Sequence, residues 1–487
     1  MKNYFPFGSL ALSRFRSISM AILAASLSVV APCRAQGGAS LQWKCSTQAA
    51  PWVDEAAVPL SDTVPLPVST TAFRIFVNSA QASQVIDGWG GCFNERGWKA
   101  MQVLSSAGRD KVMRALFDPR TGLKLTIART PLGSNDYSIT PYSYDETGGD
   151  YSMSHFSIAQ DQQYLIPYIQ AALAIQPALS IWAVPWTPPS WMKSNGSLIN
   201  GGDMLDDDRT LDSLALYFTR YVQAYQSLGI RISMVMPQNE PNITNRYPTC
   251  EWTGVQFSKF VGYHLGPALA GAGLGTKIFL GTYNETKRGG YAYWVAPSTQ
   301  DPQTNRYVSG VGCQWSADGT MAETHIVLPK MKLMQTEAEC GNTNSNDWAF
   351  AEYQYQLVKK WFSAGASSYI VWNLVLDQTG LSNAGWAQCS PIVVDSKTGQ
   401  VTYTPYYYLY KHFSWFIQPG ARLAATYGNW RDKLAFANPD GSVVAVVGNS
   451  APVDSAVALN FNGRQSGVLT LPAHSFSTFV MPAASPQ

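Results

Sequence analysis

Between Ile86 and about Trp415 the chain alternates short apolar runs with longer stretches whose apolar residues recur every three or four positions. Runs of this length bounded by turn residues predict buried strands, and the longer period predicts helices lying on them. Strands are predicted at 86–93, 123–129, 179–185, 232–239, 277–282, 308–315, 332–337 and 368–374. Helical periodicity is clearest at 97–117, 164–175, 211–228, 255–270 and 347–364. Strands alternating with helices over this length predict an α/β fold, a (β/α)8 TIM barrel.

The two ends differ from the middle. Residues 40–80 are rich in Ser, Thr, Val and Pro, and 73–78 alternates as a half-exposed strand does. Beyond Trp415 the helical period stops, and strands are predicted at 442–449, 457–461 and 475–481, with Asn-Pro-Asp-Gly (438–441) and Asn-Gly (462–463) turns between them. The expected organisation is 1–35 leader, 36–85 N-terminal strands of a side domain, 86–414 catalytic barrel and 415–487 C-terminal β-sandwich. The two sets of end strands should pair in one side domain.

Two predicted strands run into carboxylates. Met234-Val-Met-Pro-Gln-Asn-Glu-Pro-Asn242 carries an apolar run to Glu240, and Pro241 should end the strand there and hold the preceding residue extended. Lys332-Leu-Met-Gln-Thr-Glu-Ala338 does the same for Glu337, on what is then strand seven to Glu240's strand four. Each alone reads equally well as a solvated strand end. Together they fit a pair facing across a barrel mouth: an acid that protonates a glycosidic oxygen and a carboxylate that faces the anomeric carbon. Glu339, two residues on, is placed in the following loop.

Composition narrows the classes. In 487 residues, 46% are hydrophobic and 14% charged, which excludes a disordered chain, and a net charge of +2 gives no electrostatic case for nucleic acid. The 16 Trp and 25 Tyr exceed what a core needs, and flat aromatic faces stack on sugar rings. The five His are scattered, no Cys-x-x-Cys, H-E-x-x-H, G-x-S-x-G or phosphate-loop motif is present, and no metal or cofactor is expected. Gly88 to Gly91 lacks the dinucleotide spacing and fits tight strand packing better.

Lys2, Arg14 and Arg16, the apolar segment 19–30 and the Cys33-Arg34-Ala35 site make up a cleavable export signal, too short to span a bilayer. A lipid anchor at Cys33 is the alternative, against which Pro32 argues. A secreted or periplasmic protein is expected, without an integral membrane segment and monomeric. Cys45, Cys92, Cys250, Cys313, Cys340 and Cys389 remain, an even number that permits disulfides without choosing among them.

Several segments together resemble glycoside hydrolase family 30, the group of glucosylceramidases and endo-β-1,6-glucanases. They are Gly88-Trp-Gly-Gly-Cys-Phe93, Arg129-Thr-Pro-Leu-Gly-Ser-Asn-Asp-Tyr-Ser138, Pro185-Trp-Thr-Pro-Pro-Ser-Trp-Met-Lys193, Gln238-Asn-Glu-Pro-Asn242, Thr336-Glu-Ala338 and Trp372-Asn-Leu-Val-Leu376. Ser390-Pro-Ile-Val-Val-Asp395 and Phe413-Ser-Trp-Phe-Ile417 extend the likeness. The resemblance implies a retaining β-glycosidase with Glu240 as general acid/base and Glu337 as nucleophile. It further implies that Arg129 holds the nucleophile, that Asn239 bonds the sugar 2-OH, that Asp136 and Trp186 grip the glycone, and that Trp315 and Trp372 line the sugar. A strand-end cap for Asn239, a surface ion pair for Arg129 and core packing for Trp372 are the plainer readings.

One segment departs from the family pattern. Gln314-Trp315-Ser316 stands where glucosylceramidase relatives carry His-Trp-Tyr, so the tyrosine that would bond the nucleophile is missing and other groups must orient it. The segment 377–388 has no Arg or Lys, which favours a neutral glucosyl unit over a uronic acid. The implied substrates are β-glucan oligosaccharides or polysaccharides, or a glucosylated lipid. The competing class is a carbohydrate-binding protein that has lost turnover.

Overall fold

The computed structural model describes residues 40–62, 71–284, 289–341 and 345–483; the predicted leader lies outside them. Eight parallel strands form where apolar runs predict them: β1 (Gly88–Cys92), β2 (Ile127–Pro131), β3 (Ser180–Val184), β4 (Ile232–Val235), β5 (Lys277–Tyr283), β6 (Val308–Cys313), β7 (Leu333–Gln335) and β8 (Ser368–Asn373). Each bonds its neighbours in sequence, and β8 also pairs with β1. Backbone bonds Ser367 N to Leu333 O (2.7 Å) and Ala338 N to Ile370 O (2.8 Å) cross the remaining seam, closing a barrel.

Strand β1 shows why its glycines are there. A Cβ at Gly90 would fall 2.1 Å from the Ile127 carbonyl oxygen, and one at Gly91 2.3 Å from Leu374 Cδ2. A neighbouring backbone at Gly90 and packed core side chains at Gly91 leave no room for a Cβ, as tight barrel packing requires.

Several boundaries differ from the sequence reading, three of them with a clear local cause or a bearing on the site. The predicted helix 97–117 is two, Glu95–Met101 and Ser106–Phe117, because Ser105 accepts from Gly108 N and starts a new N-terminus. Strand β2 begins at Ile127 rather than 123, since Lys124 turns the chain with φ 54°. Strand β4 ends at Val235, so Glu240 lies five residues beyond it and not on it. Helices Asp208–Ser227 and Trp348–Ser363, capped by Asp207 and Asp347, have buried apolar faces.

The end strands pair as expected. Ser40–Thr47, Val53–Ser61 and Phe73–Val85 join Arg422–Tyr427, Lys433–Ala437, Val443–Asn449, Ser455–Phe461, Arg464–Leu471 and Ser475–Met481 in one closed circuit. Their inward residues, among them Leu41, Ile75, Leu459, Phe461 and Phe479, make a separate core. Tyr355 donating to the Val446 carbonyl (2.9 Å) and His412 bonded to Ser46 (2.8 Å) tie this domain to the barrel. A small sheet of Val375–Asp377, Ile392–Val394 and Val401–Tyr403 anchors both ends of the loop after β8. No helix among the described residues is long and apolar enough to cross a membrane.

Candidate active site

The segment after β4 is fixed by backbone bonds to both neighbouring strand ends. Met236 N donates to Ala183 O (3.0 Å), Asn239 N to Pro185 O (2.7 Å) and Glu240 N to Thr282 O (3.0 Å). Pro241 does not keep Glu240 extended: its φ is +45°, and Ile243 N closes a turn on its carbonyl. These bonds to β5 and the turn outweigh the local bias, and a left-handed residue so over-determined is common at functional sites. Glu337 follows β7 by two residues, between the Thr336 N to Cys313 O and Ala338 N to Ile370 O bonds. Both carboxylates therefore stand beyond the C-terminal strand ends, where barrel enzymes carry their chemistry.

Arg129, fully buried, joins them. Its guanidinium donates to Glu337 Oε2 (2.6 Å), the Thr336 carbonyl (3.1 Å), Gln314 Oε1 (3.4 Å) and Asn239 Oδ1 (2.6 Å). Trp182, Trp186 and Trp372 surround it, with ring centroids 5.1, 4.4 and 5.3 Å from Cζ. The surface ion pair is thereby excluded as Arg129's role. Asn239 Oδ1 also accepts from Thr282 Oγ1 (3.0 Å) and Gln314 Nε2 (3.1 Å), which turns its NH2 towards Glu240, 3.5 Å away.

The side chains that orient Glu337 come in part from the segment Gln314-Trp315-Ser316 itself. Trp315 Nε1 donates to Glu337 Oε1 (2.6 Å) and Gln314 Nε2 to Oε2 (3.2 Å). Arg129, Gln314 Nε2 and Trp315 Nε1 are all donors that cannot accept, a shell suited to a carboxylate. Glu240 differs. Asn284 Nδ2 bonds its Oε1 (2.6 Å), and the Tyr247 hydroxyl, which can donate or accept, bonds Oε2 (2.7 Å). Burial, opposed by Arg129 and helped by the charge of Glu240, pushes the Glu337 carboxyl up to about 7. The donor-only shell of Glu337 suits an ionised carboxylate, whereas the Tyr247 hydroxyl leaves Glu240 a partner that can accept a proton from it.

A cavity of about 340 Å3 opens over the pair, with Asp136, Trp186, Tyr247, Asn284, Trp315, Trp372 and Trp386 in its walls. Trp186 and Trp372 lie 5.2 Å apart at 31°. Asp136 is buried beside them, its carboxyl held well above the usual range by burial first and then by Glu337 and Glu240. Among the described residues none of the walls is Arg or Lys. A larger cavity of about 800 Å3 lies at the strands' other ends, between residues such as Ser180, Lys277 and Lys332, and it lacks both carboxylates. The chemistry belongs to the smaller one.

All eight residues singled out from sequence meet at this site. Glu339 does not: it lies in the following loop and accepts from the hydroxyl of Tyr353 on the helix Trp348–Ser363 (2.5 Å). Sequence reasoning missed Tyr247, Asn284 and Trp386, which come from aperiodic loops, and noted Gln314 only as a departure. No metal-holding cluster exists among the described residues.

A closed parallel barrel with two acidic side chains at its mouth, in an aromatic-walled cavity, defines a glycoside hydrolase. The chain matches the glycosyl hydrolase family 30 TIM-barrel domain over residues 86–417 and the glycosyl hydrolase family 30 beta sandwich domain over 431–479. It belongs to glycoside hydrolase family 30, in which a retaining mechanism is general. Putative glucosylceramidase 4 of Caenorhabditis elegans is 29% identical over 412 residues, 79% of this chain and 78% of the relative. Endo-1,6-beta-D-glucanase neg1 of Aspergillus fumigatus is 29% identical over 470 residues, 91% and 93% of the two chains. Among solved structures, SrfJ from Salmonella typhimurium superposes with a TM-score of 0.83 at 25% identity, over 91% of this chain and 100% of that one. The endo-β-1,6-glucanase BT3312 shares the fold, with a TM-score of 0.78 at 23% identity over 91% and 99%.

Proposed function

We propose that this chain is an exported retaining β-glycosidase that hydrolyses β-glucosidic bonds, with Glu337 as nucleophile and Glu240 as general acid/base. The observation that carries the reading is the contrast between the donor-only shell of Glu337 and the mixed shell of Glu240, within one cavity. Glu337 attacks the anomeric carbon while the Glu240 proton passes to the departing oxygen. Glu240, now ionised, takes a proton from water, whose oxygen displaces Glu337 and regenerates both groups. Arg129 and Trp315 offset the nucleophile's charge as it returns. Asn239 offers its NH2 to the 2-OH, and Asp136 and Trp186 receive the other hydroxyls, with Trp372 and Trp315 beside the ring.

Likeness to the A. fumigatus endo-1,6-glucanase along 91% of the chain makes β-1,6-glucan the substrate to test first. The named glucosylceramidase relatives support a second reading, a glucosylated lipid. Product analysis on both substrates, with the anomer formed first read by proton NMR, tests the proposal. Glucose or β-1,6-oligosaccharides released as the β-anomer are expected. An α-anomer first, or no turnover of any β-glucoside, overturns it.

A further inference from the structure

The residue standing where relatives have tyrosine, Ser316, faces the acid/base rather than the nucleophile. Its hydroxyl donates to Asn284 Oδ1 (3.1 Å), and its backbone N–H points at the same oxygen (3.5 Å). Asn284 in turn presents Nδ2 to Glu240 Oε1 at 2.6 Å, while its backbone carbonyl accepts from Asn242 Nδ2 (2.5 Å). An amide has two ends of opposite character, and which end faces Glu240 decides which protonation state is supported. A backbone N–H cannot accept, so Oδ1 must face Ser316, and the NH2 must face Glu240.

We propose that Ser316 and Asn284 are positioning residues that confine the proton of Glu240 to Oε2. An Oε1 receiving an N–H at 2.6 Å has no room for a proton of its own on that side. The proton then sits on the oxygen shared with Tyr247, whose hydroxyl accepts from it in the resting acid and donates to it once the proton has gone. Among the described residues, loss of the Ser316 hydroxyl leaves the longer N–H contact to hold Oδ1, and rotation of the amide becomes easier. A rotated amide would present Oδ1 to Glu240, draw the proton onto Oε1, and turn it away from the leaving oxygen. This inference rests on Glu240 being the acid/base.

The test pairs kinetics with a measurement that needs no substrate. Ser316→Ala and Ser316→Thr are compared on phenyl β-glucoside, whose departure needs a proton, and 2,4-dinitrophenyl β-glucoside, whose departure does not. Ser316→Ala should lose about tenfold in kcat/KM on the phenyl glucoside and less than about twofold on the dinitrophenyl one. The alkaline limb of its pH profile should move up, because the protonated acid gains an acceptor and its anion loses a donor. Ser316→Thr, which keeps the hydroxyl, should restore both. Equal losses on the two glucosides, or a profile that does not move, would overturn the proposal. Carbon NMR titration of labelled Glu240 in the free enzyme should show the same upward move in Ser316→Ala, and an unmoved titration counts against it. If wild type cleaved neither glucoside the proposed function would fail, and the titration would still decide the role of Ser316.

Discussion

Replacing Arg129 by methionine tests the electrostatics of the site at its centre. The guanidinium reaches Glu337, Thr336, Gln314 and Asn239 at once, fully buried, and a methionine fills part of its volume among the three tryptophans without replacing any of those bonds. Breaking a buried ion pair by removing one partner costs about 3–5 kcal/mol, because the other charge is left uncompensated. At 1.36 kcal/mol per decade, a loss of that size in the transition state would lower kcat/KM by about two to four decades.

The pH dependence supplies the sign. Glu337 is already raised to about 7, with Arg129 the main opposing influence, so its removal raises Glu337 further. A carboxyl raised in the folded state contributes stability below its unfolded value and loses it as pH rises through the folded one. Arg129→Met should therefore be much less stable than wild type at pH 8 and closer to it at pH 5. The acidic limb of kcat/KM should move upward. Urea melts at both pH values and a kcat/KM profile on an aryl β-glucoside read these effects. A variant with near wild-type kcat/KM, or an acidic limb that stays put or moves down, would refute the assigned role of Arg129.

Three other outcomes are expected. Glu240→Ala should lose most activity on alkyl glucosides but retain the first step on 2,4-dinitrophenyl glucoside, and azide should rescue its turnover with formation of a β-glucosyl azide; rescue of Glu337→Ala instead would reverse the roles. Asp161, buried and bonded by Tyr142, Tyr144 and Tyr225, is raised by burial to about 6, so the wild type should lose about 3 kcal/mol as pH rises from about 4 to 6. Asp161→Asn should flatten that part of the stability profile in urea melts, and an unchanged slope would assign it elsewhere. Glucuronoxylan should be cleaved at least about a hundredfold less efficiently than a β-glucosyl substrate, since no Arg or Lys lines the described cavity walls to pair with a uronic acid; comparable kcat/KM values would count against a neutral glucosyl site.

The barrel was legible because its strands are short apolar runs between amphipathic stretches, and Glu240 and Glu337 stood out where those runs end. Local rules misplaced details set by distant partners. Pro241 argues for an extended Glu240, yet the bond from its N–H to Thr282 O, on another strand, holds φ at +45°. Tyr247, Asn284 and Trp386 belong to loops without a period, so nothing local marked them. Gln314 could be noted as unusual, but its bonds to Arg129, Asn239, Thr336 and Glu337 exist only once β2, β4, β6 and β7 are side by side. The side domain was readable in outline, from alternation near the N-terminal end and Asn-Pro-Asp-Gly and Asn-Gly turns near the C-terminal end, whereas its closed strand order depends on pairings hundreds of residues apart.

The most direct test of the central claim is to trap the covalent intermediate. A 2-deoxy-2-fluoro-β-glucosyl fluoride should inactivate the enzyme by slow release from the first step, adding one fluoroglucosyl group per chain by intact mass. Peptide mapping should place that group on Glu337, and Glu240→Gln should still become labelled, because fluoride leaves without a proton. A label on Glu240 or another residue, or rapid turnover with inversion and no covalent adduct, would contradict the account.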